Sequence, residues 1–102
     1  MNPLERAADL IEERGWCRGR FRDDAGRICI DFALVTADLV NNARARRYVL
    51  DELRSRGVRC NDLALWNDFH ASDSDDVVDL LRHAAKRWNR AAASSDPAPT
   101  PA

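Results

Sequence analysis

The sequence has no long apolar run. Among its 102 residues, no segment approaches the roughly 18 consecutive apolar residues that a membrane-spanning helix needs. Met1 leads directly into an amphipathic, charged segment, without the apolar stretch of a secretory signal. Because exported and membrane proteins carry such segments, we expect a cytoplasmic protein with no membrane association and with reduced cysteines.

The cysteines and histidines lack the spacing of the common metal sites. Neither a closely spaced cysteine pair nor a closely spaced histidine pair is present, so we expect no metal and no cofactor. Free buried cysteine packs as a small hydrophobic residue. A Cys17–Cys29 disulfide is the alternative, and a reducing compartment argues against it. The potential ligands of a metal are Cys17, Cys29, Cys60 and His70.

Lysine is nearly absent, and neither sign of charge dominates. Lys86 is the only lysine among 16 basic residues, and 17 acidic residues give a net charge of −1. A codon bias toward arginine explains this most simply. Since there is no positive excess, nucleic acid is not the expected partner. Two arginine sets would nevertheless form a phosphate-sized patch if they met: Arg18, Arg20, Arg22 and Arg27, and Arg44, Arg46 and Arg47.

Helical periodicity, with start and stop signals, predicts four helices. Asn2 and Pro3 suit the first positions of a helix, and Gly15 suits its end. Ser72-x-x-Asp75 resembles a capping box before the last helix, and we interpret Asn67-Asp68 as a turn. The predicted helices span residues 3–14, 29–40, 43–56 and 73–90.

These elements predict a mainly α fold: a compact single domain of about four helices over residues 1–91. Residues 17–30 contain a turn signal, and would form either one short β-hairpin or an irregular loop pinned by Trp16 and Phe21. Residues 92–102 carry three prolines in alternate positions and predict a disordered Pro/Ala/Ser tail. The last helix has a wide apolar face, which would also allow a homodimer.

Several motifs occur together in a fixed order. In this combination, roughly residues 4–88 resemble DUF6197, a family of small proteins of unknown function from actinobacteria and their phages. The resemblance implies the order of the elements but no reaction. Where that family usually has an Arg-Thr pair before the last helix, this chain has Ala71-Ser72, so any role of that arginine is not carried over. The motifs are Leu4-x-x-Ala7-Ala8-x-x-Ile11, Gly15-Trp16-Cys17, Gly26-Arg27-x-Cys29, Ala33-Leu34, Trp66-Asn67-Asp68 and Val77-x-x-Leu80-Leu81-x-x-Ala84.

The signature residues suggest a binding site. Its place would be a groove between the Gly15-Trp16-Cys17 loop and the segment from Trp66 to Ser72. Such residues more often anchor a loop and form turns through their own backbone, and we favour that structural role. A binding role remains, and it predicts a small intracellular binding or protein-interaction module with a protein partner or a small ligand. The candidate binding residues are Trp16, Trp66, Asn67, Asp68 and His70.

A thiol-dependent enzyme is the alternative to a binding module. Cys29, or Cys17, would be the nucleophile and His70 its base, because a helix N-terminus favours the thiolate. The small size of the domain, and the isoleucines on both sides of Cys29, argue against it. We therefore expect that the protein is not an enzyme.

Overall fold

Five helices make up the fold. The computed structural model describes residues 2–94, with the side chain of Ser94 excepted, and within that range it contains no β-strand. The mainly α prediction is confirmed, with one helix more than predicted. The helices are α1 (Pro3–Arg14), α2 (Ile30–Ala37), α3 (Asn42–Ser55), α4 (Leu63–Phe69) and α5 (Ser74–Ser94).

The core forms where the first and last helices meet. α1 packs against α5 and α2, and α3 packs on the other side of α5. The fully buried residues of α1, α2, α3 and α5 recur at helical spacing, as periodicity predicted. Outside the core, Arg82 of α5 pairs with three carboxylates along α1, those of Glu5, Asp9 and Glu12.

The boundaries of α1 are those predicted. The side chain of Asn2 accepts a hydrogen bond from the Leu4 N–H at 2.8 Å, and Pro3 occupies the first turn. At the other end Gly15 adopts a φ of 88°, and its N–H donates to the Ile11 carbonyl at 2.8 Å. Both signals act through local geometry alone, so the sequence contains them in full.

α2 is shorter than predicted. It ends at Ala37, not at residue 40, because the Asp38 carboxylate accepts hydrogen bonds from the N–H groups of Val40 and Asn41 and forms a turn. Val40, the last residue of the predicted helix, lies in this turn and is 86% exposed. At the start of the helix, Cys29 is the capping residue, and its sulfur accepts from the Phe32 N–H.

The turn predicted at Asn67-Asp68 is wrong, because these residues lie inside α4. Asp62 caps this short helix by accepting a hydrogen bond from the Ala64 N–H at 2.9 Å. The capping box before α5 is also one residue away from the predicted place: Asp73, not Ser72, accepts from the N–H of Asp76.

Residues 15–29 form an irregular loop and not a hairpin. Ile28 makes two isolated bridges, one parallel with Trp16 and one antiparallel with Arg22. The loop alternative was therefore correct, but Phe21 does not pin the loop in the core, since it is 61% exposed. The Asp23 carboxylate holds the tip of the loop by accepting from the Arg27 N–H and guanidinium.

The structure describes only part of the predicted C-terminal tail. The predicted tail, residues 92–102, begins within α5, and residues 95–102 lie outside the described residues, as does Met1. Among the helices of residues 2–94, none is long and apolar enough to cross a membrane.

Candidate functional site

Asn67 joins α4 to the loop. Its side chain is completely buried on the inner face of α4, where an unpaired amide would be costly. The amide oxygen accepts from the Trp16 indole N–H at 2.7 Å and from the Ile30 N–H at 3.1 Å. The amide nitrogen donates to the Cys17 carbonyl at 3.1 Å and to the Asp68 carboxylate at 3.0 Å. Asn67 therefore connects α4, the loop and the first turn of α2.

Two further contacts fasten the same loop. The Asp68 carboxylate accepts from the Gly19 N–H at 2.8 Å. The Arg18 guanidinium donates to the carbonyls of Ala71 and Ser72 after α4, and lies over the Trp16 ring at 4.7 Å. Consequently the backbone of the loop is held on α4 by side chains from both sides.

An open groove remains between the fastened loop, the start of α2 and α4. Its volume is about 260 Å³. Three exposed apolar side chains stand on the elements that form it: Phe21 on the loop, and Leu65 and Phe69 one turn apart on α4, exposed by 61%, 50% and 75%. The residues that line the groove are Gly19, Arg20, Phe21, Cys29, Asp31, Ala64, Asn67 and Asp68.

The charged side chains of the groove differ in how many ion pairs and hydrogen bonds they form within the protein. Asp31 forms an ion pair with Arg46 of α3. One oxygen of Asp68 accepts both of its hydrogen bonds, so the other oxygen is left for a donor. Within residues 2–94, no ion pair or hydrogen bond of the Arg20 guanidinium is present. Arg20 and Asp68 thus offer a donor and an acceptor beside an apolar surface.

Comparison with known proteins identifies the family. Residues 2–87 match the family of unknown function DUF6197, which is most of the chain and includes every element of the groove. This chain belongs to the DUF6197 family. No curated protein matches it, and no solved structure matches it. Membership therefore confirms the predicted resemblance and carries no activity.

The five candidate binding residues, which are four signature residues of DUF6197 and His70, occupy different surroundings. Trp16 and Asn67 are hydrogen-bonded to each other, so the two segments predicted to meet do meet. Trp66 is buried in the core, and Asn67 and Asp68 line the groove. His70 is exposed at the end of α4 and is not among the lining residues. Whether these five residues bind a ligand stays a prediction.

Sequence reasoning missed much of the groove. Ala64 and Asp68 are one turn apart and share a face of α4, but this face exists only if residues 63–69 are helical. Arg20 and Phe21 belong to a loop whose course depends on the contacts of Asn67 and Asp68. No local pattern in residues 18–22 indicated this course.

The cysteines are placed unfavourably for nucleophilic catalysis. Burial raises the pKa of the Cys29 thiol, outweighing the hydrogen bonds from the N–H groups of Phe32 and Asp31 that lower it. Burial also raises the pKa of Cys17. His70 makes no hydrogen bond with either thiol within the described chain. Within residues 2–94, therefore, His70 is not hydrogen-bonded to either thiol as a base would be, and burial disfavours both thiolates.

The two arginine sets are used mainly within the protein. Arg27 pairs with Asp23 and Arg46 with Asp31, while Arg44 lies over the Trp88 ring at 4.2 Å. These contacts neutralise or cover the charge that a phosphate would need. Among residues 2–94, no group of three His, Cys, Asp or Glu residues is arranged so that it could hold a metal ion.

Proposed function

We propose that this DUF6197 protein is a binding module that takes a peptide segment of a protein partner into the groove between the loop and α4. One large apolar side chain of the peptide fills the cavity. The observation that supports this is that one groove is lined by the exposed aromatic side chain of Phe21 and by two groups that, within residues 2–94, have no partner: the Arg20 guanidinium and one carboxylate oxygen of Asp68.

The chemistry of the groove suits a peptide. Arg20 can donate to a backbone carbonyl, and the free oxygen of Asp68 can accept from a backbone N–H. Phe21 lines the groove and Phe69 is exposed on the same helix as Asp68, and aromatic side chains are enriched at protein interfaces. Phe21 also rests on Phe32, with ring centroids 6.3 Å apart, so part of this surface is held in place before a partner arrives.

The volume of the groove favours a peptide side chain over a whole metabolite as its ligand. Pockets for drug-sized ligands have volumes of about 300–1,000 Å³ and enclose most of the ligand. The groove measures about 260 Å³ and is open to solvent on one side. It accommodates one aromatic or branched side chain, while the chain that carries this side chain lies along the rim.

Blocked amino acids test this proposal directly. N-acetyl-phenylalanine amide and N-acetyl-tryptophan amide present one apolar side chain with one peptide group on each side, and N-acetyl-serine amide is the polar control. We expect the two aromatic probes to shift the backbone amide resonances of Gly19, Phe21, Ala64 and Asp68 in a ¹⁵N-labelled protein, and the serine probe to leave them unchanged.

Matched variants locate the effect. Phe21→Ser should weaken binding of the aromatic probes several-fold. Val40→Ser removes an apolar side chain that is even more exposed but belongs to the turn after α2, and it should leave binding of the probes unchanged. Equal responses to all three probes, or shifts that avoid the groove, would refute the proposal.

A further inference from the structure

Cys17 and Cys29 are neighbours in a short parallel pairing. The Ile28 N–H donates to the Gly15 carbonyl, and the Cys17 N–H donates to the Ile28 carbonyl, each at 3.0 Å. This pattern pairs Trp16 with Ile28. In that register, Gly15 stands opposite Arg27 and Cys17 stands opposite Cys29, and both pairs point to the same face because side chains alternate along extended chain.

A contact at Gly15 supports this register. A methyl group on Gly15 would lie 2.8 Å from Cγ of Arg27, so the Arg27 side chain crosses directly over the glycine. The next pair on that face is Cys17 and Cys29. The Cys17 sulfur is 3.9 Å from the Phe21 carbonyl oxygen, and the same oxygen accepts the Cys29 N–H at 3.0 Å.

The spacing of such a pair suits a disulfide. Adjacent extended segments lie about 4.8 Å apart, which is within the range of about 4.4–6.8 Å between the Cα atoms of disulfide-bonded cysteines. In the structure both thiols are free. Bond formation then needs rotation of the side chains, and it does not need the backbone segments to be brought together from a distance.

We propose that Cys17 and Cys29 form a redox-active dithiol site, which hydrogen peroxide converts to an intrachain disulfide. The peroxide oxidises one thiol to a sulfenic acid and is itself reduced to water. The second thiolate attacks that sulfur, forms the S–S bond and releases hydroxide, which is protonated to a second water. An exogenous thiol reverses the reaction by exchange.

Both cysteines are buried but border concavities of the surface. Cys29 lines the groove described above, and Cys17 lines an adjoining concavity of about 300 Å³ that also includes Trp16 and Arg27. Burial raises the pKa of both thiols, so oxidation should accelerate as the pH rises. The disulfide would close a ring that contains Arg20 and Phe21.

Peptide mapping tests the proposal on the whole folded protein. After treatment with hydrogen peroxide and alkylation of the remaining thiols, trypsin places the two cysteines in separate peptides, 15–18 and 28–44, and places Cys60 in a third peptide, 60–82. We expect a linked species of the first two peptides. The intact protein should lose the mass of two hydrogen atoms, and a reducing agent should restore both thiols.

Two serine variants serve as controls. Cys60→Ser should form the same link, because Cys60 belongs to neither extended segment. Cys29→Ser should form none, and it should fold, because serine can accept the Phe32 N–H as a helix cap. The proposal is overturned if the native protein keeps Cys17 and Cys29 free under peroxide, if the link appears only in urea, or if oxidation joins Cys60 instead.

Discussion

Replacing Asn67 with alanine tests the central contact of the structure. The substitution removes a completely buried amide and leaves three groups without their partner: the indole N–H of Trp16, the backbone N–H of Ile30 and the carbonyl of Cys17. The Ile30 N–H is in the first turn of α2, so it has no carbonyl of its own helix to bond.

The expected loss follows from these groups. An unpaired buried donor or acceptor costs about 1–3 kcal/mol. Trp16 is only partly buried, so water can replace part of its lost bond. Asn67→Ala should therefore lower the free energy of unfolding by about 3–5 kcal/mol. A domain of this size has only about 5–15 kcal/mol in total, so the variant should lose a large fraction of its stability.

Urea denaturation monitored by circular dichroism measures this loss, and exposed Asn61 provides the control. Asn61→Ala should change stability by no more than about 0.5 kcal/mol. A double-mutant cycle with Trp16→Phe isolates the bond between the indole and the amide, for which we expect a coupling of about 1 kcal/mol. A loss below about 1 kcal/mol for Asn67→Ala would refute the role assigned to this side chain.

Three further predictions concern other parts of the molecule. Arg82→Leu should lower the free energy of unfolding by about 1 kcal/mol, more in low salt than in high salt, because three carboxylates of α1 lose their common partner; Arg54→Leu, which breaks a single exposed pair, should have almost no effect. Burial raises the pKa of Glu52, but hydrogen bonds from two arginines outweigh this effect and hold the pKa below the usual value. The stability that these bonds provide is present above the ordinary pKa of glutamate and is lost as the pH falls through the lowered pKa. Glu52→Gln should therefore make the urea midpoint of unfolding depend less on acid pH. Gly15→Ala should lower the free energy of unfolding more than Gly57→Ala does. Both glycines have positive φ, which costs an alanine about 1 kcal/mol, but only at Gly15 would the methyl group meet a neighbouring side chain. Equal losses of stability in the two variants would contradict this difference.

The parts of the fold that were predictable have local causes. Asn2, Pro3 and Gly15 define α1 through contacts within a few residues. The end of α2 was missed because Asp38 forms a turn with residues that also fit the helical period. The short helix α4 was missed for a related reason, since Asn-Asp favours turns when no other part of the chain engages its side chains.

The candidate site depends on contacts between residues far apart in sequence. Asn67 is polar and yet completely buried because Trp16, Cys17 and Ile30 supply partners for its amide. Periodicity contains no information about such partners. The family resemblance did mark Trp16 and Asn67 together, but it could not say that they touch, or that the exposed Phe21 would face a groove beside them.

The packing of α1 has a consequence for synthesis on the ribosome. Of the five helices, α1 is synthesised first, but its largest contact surface is with α5, the fifth of them. The part of its apolar stripe that α5 covers must remain exposed, or be shielded by other proteins, until α5 has left the exit tunnel. Completion of this core should therefore be slower than expected for a bundle whose neighbouring helices pair in sequence.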